Sequence, residues 1–177
     1  MTTKTNNPSP AFLVDHMLGR LAKYLRMLGF DTLYFSKADF NSFLKKARQE
    51  KRIALTRNTK IIGLNNSYNF LYITSDQLAE QLEEVIKYFD IEIEPEKWLT
   101  RCLSCNQELK ETTPEEVKER VPPYIFSIHQ EFFCCPQCKK VYWPGSHQKN
   151  MEETILKILK SQKAGFTLTI PENNQNS

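Results

Sequence analysis

The chain has 177 residues, enough for one ordinary domain and a small appendage, and its 40% hydrophobic and 25% charged residues match a folded globular protein, not a disordered one. No run approaches the ~18 consecutive apolar residues of a membrane span, and the opening MTTKTNNPSP lacks the apolar core of a signal peptide, so a cytoplasmic chain without a membrane partner is expected. The net charge of +3 is too small to argue for a polyanionic ligand, but residues 1–60 carry 12 Lys/Arg against 4 Asp/Glu, whereas residues 61–100 carry 2 against 8; the basic third is either a phosphate-binding surface or the solvated faces of helices.

Apolar periodicity divides the first ninety or so residues into four strand-helix units. AFLVD (11–15) is a short buried strand, followed by a helix with Leu18, Leu21, Leu25 and Leu28 on one face and Gly29 placed to end it. TLYF (32–35) leads to a second helix through FNSFLKKARQEK, with Phe40, Phe43, Leu44 and Ala47 facing inward. IALT (53–56) is the third strand and TKIIGL a short third helix. FLYIT (70–74) precedes a fourth helix in DQLAEQLEEVIKYF, with Leu78, Leu82, Val85, Ile86 and Phe89 on one face. Strands alternating with helices imply crossover connections and a parallel sheet covered by helices. IEIEPEKWLT (91–100) reads as an acidic connector with room for one more extended segment. Thr113-Pro114-Glu115-Glu116 is a capping box that starts a helix through Arg120, and Pro122-Pro123 is expected to stop it. An amphipathic helix at about 148–161 carries Met151, Ile155, Ile158 and Leu159, and the polar end is expected to be a loose tail. The division expected is an α/β domain over 10–95, a cysteine-bearing unit over 98–147, and a helix with tail over 148–177.

All five cysteines lie after this α/β pattern. CLSC (Cys102, Cys105) and CPQC (Cys135, Cys138) are two C-x2-C pairs separated by 29 residues. Each pair lets one turn aim two sulfurs at one ion, and four thiolates around structural zinc are the standard outcome; disulfides or a redox pair are the alternatives, disfavoured in a reducing compartment. Cys134, next to Cys135 on an extended segment, has to point away from the ion.

In a parallel sheet all strands end on one edge, where open α/β folds place ligands. Asp15 ends the first strand, Asp39 follows the second, Asn58 the third and Asp76 the fourth. Taken singly, Asp39, Asn58 and Asp76 sit where helix caps are expected. Asp15 differs, because it continues an apolar strand, where burying a carboxylate is costly unless it is used. Carboxylates gathered at such an edge suit Mg²⁺ or Mn²⁺, and Arg20, Lys23, Arg57 and Lys60 lie close by in sequence to hold a phosphate backbone.

The segments FLVDHMLGRLAKYLRMLGFDT, ALTRN, ITSDQLAEQL, RCLSCNQEL and FFCCPQCKKVYWPGSH, in this order from Ala11 to His147, resemble the Mut-seven C-terminal RNase domain family, a PIN-like nuclease fold with a zinc ribbon behind it. The resemblance implies a PIN-like parallel sheet, divalent-metal-dependent cleavage of RNA, ion binding by Asp15, Asp39 and Asp76, and basic residues at Arg20 and Arg57. One position departs: the family pattern after the third strand is Thr-Arg-Asp, and here it is Thr56-Arg57-Asn58. An amide offers one oxygen but no charge and cannot serve as a base, so ion affinity should fall.

Two readings result: a metal-dependent ribonuclease with Asp15, Asp39, Asn58 and Asp76 as its site, or a non-catalytic RNA-binding protein that kept the fold. An adaptor that binds proteins through the ribbon is a third. His147 either joins the RNA site or hydrogen-bonds the ribbon. Phe132, Phe133, Tyr142 and Trp143 either stack on bases or pack the ribbon against the first domain.

Overall fold

The computed structural model describes residues 9–64, 69–145, 149 and 153–157. Strands β1 (Phe12–Val14), β2 (Thr32–Tyr34), β3 (Ile53–Thr56) and β4 (Phe70–Tyr72) form a parallel sheet in the order β2-β1-β3-β4. Helices α1 (Gly19–Met27), α2 (Phe40–Gln49) and α3 (Leu78–Tyr88) connect or follow them. Successive side chains on a strand face opposite sides, and the cores divide accordingly. Phe12, Val14, Ile53 and Leu55 pack with α1 and α3, whereas Leu13 and Ala54 pack with Phe43, Leu44 and Ala47 of α2. This is the α/β fold expected from the alternation, with helices on both faces of the sheet.

The boundaries follow local chemistry. The Asp39 carboxylate caps α2 by accepting the Asn41 and Ser42 amides. Gly29 ends α1 with φ +89°, and a Cβ there would lie 2.4 Å from the Lys97 carbonyl oxygen, so both its conformation and its space require glycine. The expected third helix is one 3₁₀ turn, Thr59–Ile61. The connector after α3 contains another 3₁₀ turn, Pro95–Lys97, in place of an extended segment.

The cysteine-bearing unit contains an antiparallel sheet of β5 (Lys110–Thr112), β6 (Phe132–Cys134) and β7 (Val141–Tyr142). Thr113 caps α4 (Pro114–Val117) as expected, but that helix stops well before Arg120. Pro122-Pro123 does not simply break the chain: Pro123 occupies the first turn of another helix, α5 (Pro123–Ile128), a position where proline lacks nothing the helix needs. Phe132 is buried with Val117 and Val121, and Trp143 packs against them, so these two rings serve the ribbon's own core. Residues 153–157 are helical and Ile155 is fully buried in the core of the α/β domain, which fits the helix expected at the C-terminal end.

The two units meet along a polar seam. Buried Arg26 donates Nε to the Thr32 carbonyl (2.8 Å) and Nη1 to the Leu103 and Ser104 carbonyls (2.9 and 3.1 Å). Asn106 accepts the Thr32 amide at 2.8 Å and donates to Asp31 at 2.6 Å, and Asp31 in turn receives two nitrogens of Arg52 (2.7 and 3.1 Å). Arg101 Nε donates to the Gly29 carbonyl at 3.0 Å.

Candidate active site

The strand order reverses direction between β1 and β3, so the crevice beyond their C-terminal ends is the switch point of the sheet. Asp15 lies there, 4% exposed, its amide extending the ladder to the Leu55 carbonyl at 3.1 Å. Its Oδ1 accepts the Met17 amide at 2.9 Å, and its Oδ2 accepts the Thr56 hydroxyl and the Arg57 amide, the latter at 3.3 Å. A buried carboxylate is therefore held by three donors from two strand ends.

The chain after β3 turns without glycine because side chains supply the turn. Thr56 Oγ1 accepts the Asn58 amide at 3.0 Å, and Asn58 Oδ1 accepts the Lys60 amide at 3.0 Å and so caps the 3₁₀ turn. These are back-to-back ST and Asx turns. Asn58 is half-buried beside Arg57, and its single carboxamide oxygen is already engaged on the backbone.

Asp39 and Asp76 lie on exposed rims. Asp39 receives Ser42 Oγ at 2.5 Å as well as two amides; the Ser42 hydroxyl, then the Ser42 amide, hold its carboxyl below the ordinary carboxylate value. Asp76 does not cap its helix as the sequence suggested. The N-cap of α3 is Gln77, with no side-chain cap bond; ahead of the helix Ser75 Oγ accepts the Gln77 amide at 3.0 Å, and Asp76 takes a side-chain bond from Gln77 Nε2 at 3.1 Å. Glu84 and Glu80, unremarkable in sequence, fix this loop: Glu84 accepts the Thr74 amide, the Thr74 hydroxyl and the Ser75 amide, and Glu80 accepts the Ser75 hydroxyl. Asp76 lines a cleft of about 600 Å³ together with Arg20, Lys23, Arg26 and Tyr34.

The structure thus joins Asp15, Thr56, Arg57 and Asn58 directly, and leaves Asp39 and Asp76 apart from a closed cluster. Among the described residues, the one group of three or more acidic, His or Cys side chains with donor atoms all within 4.8 Å is Cys102, Cys105, Cys135 and Cys138. Mg²⁺ tolerates this openness, since it retains several waters and commonly takes only one or two carboxylates directly. Lys60 and Lys23 are exposed and Arg57 is half-buried; His147 lies outside the described residues.

The four sulfurs stand 3.4–3.5 Å apart along three edges of the group, near the ~3.8 Å edge of a tetrahedron with zinc-sulfur bonds of ~2.3 Å. The two pairs are built alike. In each, the first cysteine amide bonds a carbonyl five residues on (Gln107, Lys140), and the residue after the second cysteine has positive φ: Asn106 at 72° and Lys139 at 61°. Burial opposes ionisation of Cys102, but the Tyr142 hydroxyl, 3.1 Å from its sulfur, and nearby amides bring it down to about 6. Burial pushes Cys105 up to about 12, with the neighbouring sulfurs adding to the shift. Four thiolates this close need a cation, and a group of this kind fits a metal ion such as zinc. Cys134 does point away, its sulfur 3.4 Å from Arg120 Nη2.

No helix among the described residues is long and apolar enough to cross a membrane. No curated protein matches the chain. The family model of the Mut7-C RNAse domain matches residues 10–155, most of the chain, and this protein therefore belongs to the Mut7-C RNAse domain family.

Proposed function

We propose that this protein is a cytoplasmic ribonuclease that hydrolyses phosphodiester bonds in RNA with the help of Mg²⁺ or Mn²⁺, and that its four cysteines hold structural zinc. The observation that carries the reading is Asp15: a buried carboxylate fixed by both central strand ends at the switch point of the sheet. Asp15 would hold the ion directly, and Asp39 and Asp76, which stand apart on the rims, would reach it through bound waters. When bound, such an ion lowers the pKa of its water and neutralises charge on the phosphate. The chain's own groups do the rest. Thr56 and the Met17 and Arg57 amides orient the carboxylate, Asn58 fixes the loop that presents Arg57, and Arg20, Lys23, Arg57 and Lys60 grip the backbone of the substrate. The basic first third of the sequence and the acids at the strand ends then serve one site.

Asn58 supports the second reading, a non-catalytic RNA-binding protein, because a neutral side chain whose oxygen caps a turn contributes little to cation binding. End-labelled RNA incubated with the protein in Mn²⁺, in Mg²⁺ and without added metal separates the two. Metal-dependent cutting is expected. Salt-sensitive RNA binding with no cutting in either metal would replace the enzyme by the binding protein.

A further inference from the structure

The cleft that contains Asp76 runs between the α/β domain and the ribbon. One wall is the 3₁₀ turn His16–Leu18 and the start of α1, with Arg20 and Lys23; the far wall is Leu103 and Ser104 of the first cysteine turn. Its beginning is tied to the acid site, since Met17, one of its lining residues, donates its amide to Asp15. Its far wall is fixed to α1 by the Arg26 bonds to the Leu103 and Ser104 carbonyls. Beyond that wall, Lys140 Nζ donates to Ser104 Oγ at 2.6 Å, so the ribbon adds its own cation at this end. Among the residues lining the cleft, three cations face one acid, Asp76.

The cleft also contains an aromatic surface. Tyr34 is 42% exposed, yet its hydroxyl donates to the His16 carbonyl at 3.0 Å, and its ring lies against Gly19, where a Cβ would already be in contact at 3.4 Å. An exposed ring held in place costs little entropy to use as a stacking platform. Rings stack on unpaired bases, not on a closed duplex.

We infer that this cleft is the track for single-stranded RNA leaving the acid site, and that the ribbon is part of the binding surface. Arg20 and Lys23 meet phosphates, Tyr34 stacks a base, and Lys140 meets a phosphate further along. The inference rests on the ribonuclease reading for its ligand and adds Tyr34 and Lys140, neither of which the sequence singled out.

The test is fluorescence anisotropy of a labelled 12-nucleotide uridine strand, with no divalent metal and no chelator added, so that zinc stays and cutting does not occur. Lys23→Glu and Lys140→Glu should each weaken binding about fivefold or more and flatten the log-log salt dependence by at least ~0.7. Tyr34→Leu should weaken it about fivefold with the salt slope unchanged. Lys118→Glu, a ribbon lysine placed over the Phe126 ring and not among the residues lining the cleft, should bind as wild type does. Zinc content and melting temperature of each variant verify folding. If wild type binds the strand and Lys23→Glu and Lys140→Glu match Lys118→Glu, the track is wrong while RNA binding stands. If a blunt RNA duplex of the same length binds as tightly, the single-strand assignment is wrong. If wild type binds no RNA, the ribonuclease reading fails and takes the track with it.

Discussion

Asp15→Asn separates a residue kept for chemistry from one kept for folding. The amide is nearly isosteric and is as good a cap as aspartate, so its oxygen can keep the Met17 bond. The other end becomes an NH₂ group facing the Thr56 hydroxyl and the Arg57 amide. The hydroxyl can turn to accept, because oxygen has a second lone pair beside the one taken by the Asn58 amide. The Arg57 amide has no such remedy and loses an already long bond of 3.3 Å. One half-buried backbone donor left unmade costs at most ~1–2 kcal/mol, and removing a charge from a 4% exposed position offsets part of that. The net is a loss of about 0–1.5 kcal/mol, or a melting temperature lower by no more than roughly 5 °C for a chain of this size. Cleavage of labelled RNA in Mn²⁺ should fall by a factor on the order of 100 or more, because the group holding the ion is gone. Cutting within about threefold of wild type would refute the ion-binding role. A fall in melting temperature beyond about 10 °C would show that the carboxylate is chiefly a structural tie between β1 and β3.

Asn58→Asp adds the charge that the resemblance implies at this place, and its carboxylate can still accept the Lys60 amide; the metal concentration giving half-maximal cleavage should drop several-fold, and an unchanged value would remove Asn58 from the ion's surroundings. Gly29→Ala should lower stability by at least ~2 kcal/mol in denaturant titration, because a Cβ at φ +89° would stand 2.4 Å from the Lys97 carbonyl oxygen; a neutral result would mean that the connector gives way freely. Burial works to raise the Asp31 pKa, but bonds from Arg52 and Asn106 outweigh it and leave the folded value below the ordinary one. The stability this linkage supplies is present above the unfolded value of ~3.9 and is lost as pH falls through the folded value. The melting-temperature gap between wild type and Asp31→Asn should therefore be widest above about pH 4 and shrink on acidification; a gap that grows on acidification would reverse the sign of this linkage.

The parallel sheet was legible because its strands are short apolar runs separated by helices with a clear inner face, and the four cysteines because two C-x2-C pairs leave few other options. Asp15 stood out for a similar reason: a carboxylate directly continuing FLV conflicts with burial unless something holds it. What holds it was not legible. Thr56 reads as an ordinary β-branched strand end, and nothing in sequence says that its hydroxyl reaches back to a residue forty-one positions earlier. Asp76 sits where a cap is expected, but α3 starts one residue later with Gln77 at its N-cap and no side-chain cap bond, and Glu80 and Glu84 of α3 fix the preceding loop through Ser75. Pro122-Pro123 was read as a stop because proline ends helices and begins them with the same residue; the outcome depended on whether the following residues could pack, and Ile125 and Phe126 lie against the ribbon core.

The seam between the two units has the widest consequence for function. Arg26 reads in sequence as one more basic residue on a helix, and Asn106 as a polar residue in a loop, yet each is at most 6% exposed and each bonds across the boundary. Burial pulls the Arg26 pKa down, and the guanidinium is held by the Thr32, Leu103 and Ser104 carbonyls it bonds. Asn106 depends on the cysteine turn even more directly, since its positive φ belongs to that turn's geometry. That turn is closed by its own backbone bonds, the Asn106 amide to the Cys102 carbonyl at 2.9 Å and the Cys102 amide to the Gln107 carbonyl at 2.8 Å, and it presents the Leu103 and Ser104 carbonyls to Arg26 and the Asn106 carboxamide to Thr32. The first cysteine turn therefore does more than belong to the ribbon: its Leu103 and Ser104 form one wall of the cleft that contains Asp76, so an ion held by the four cysteines would bear on that wall from outside the cleft.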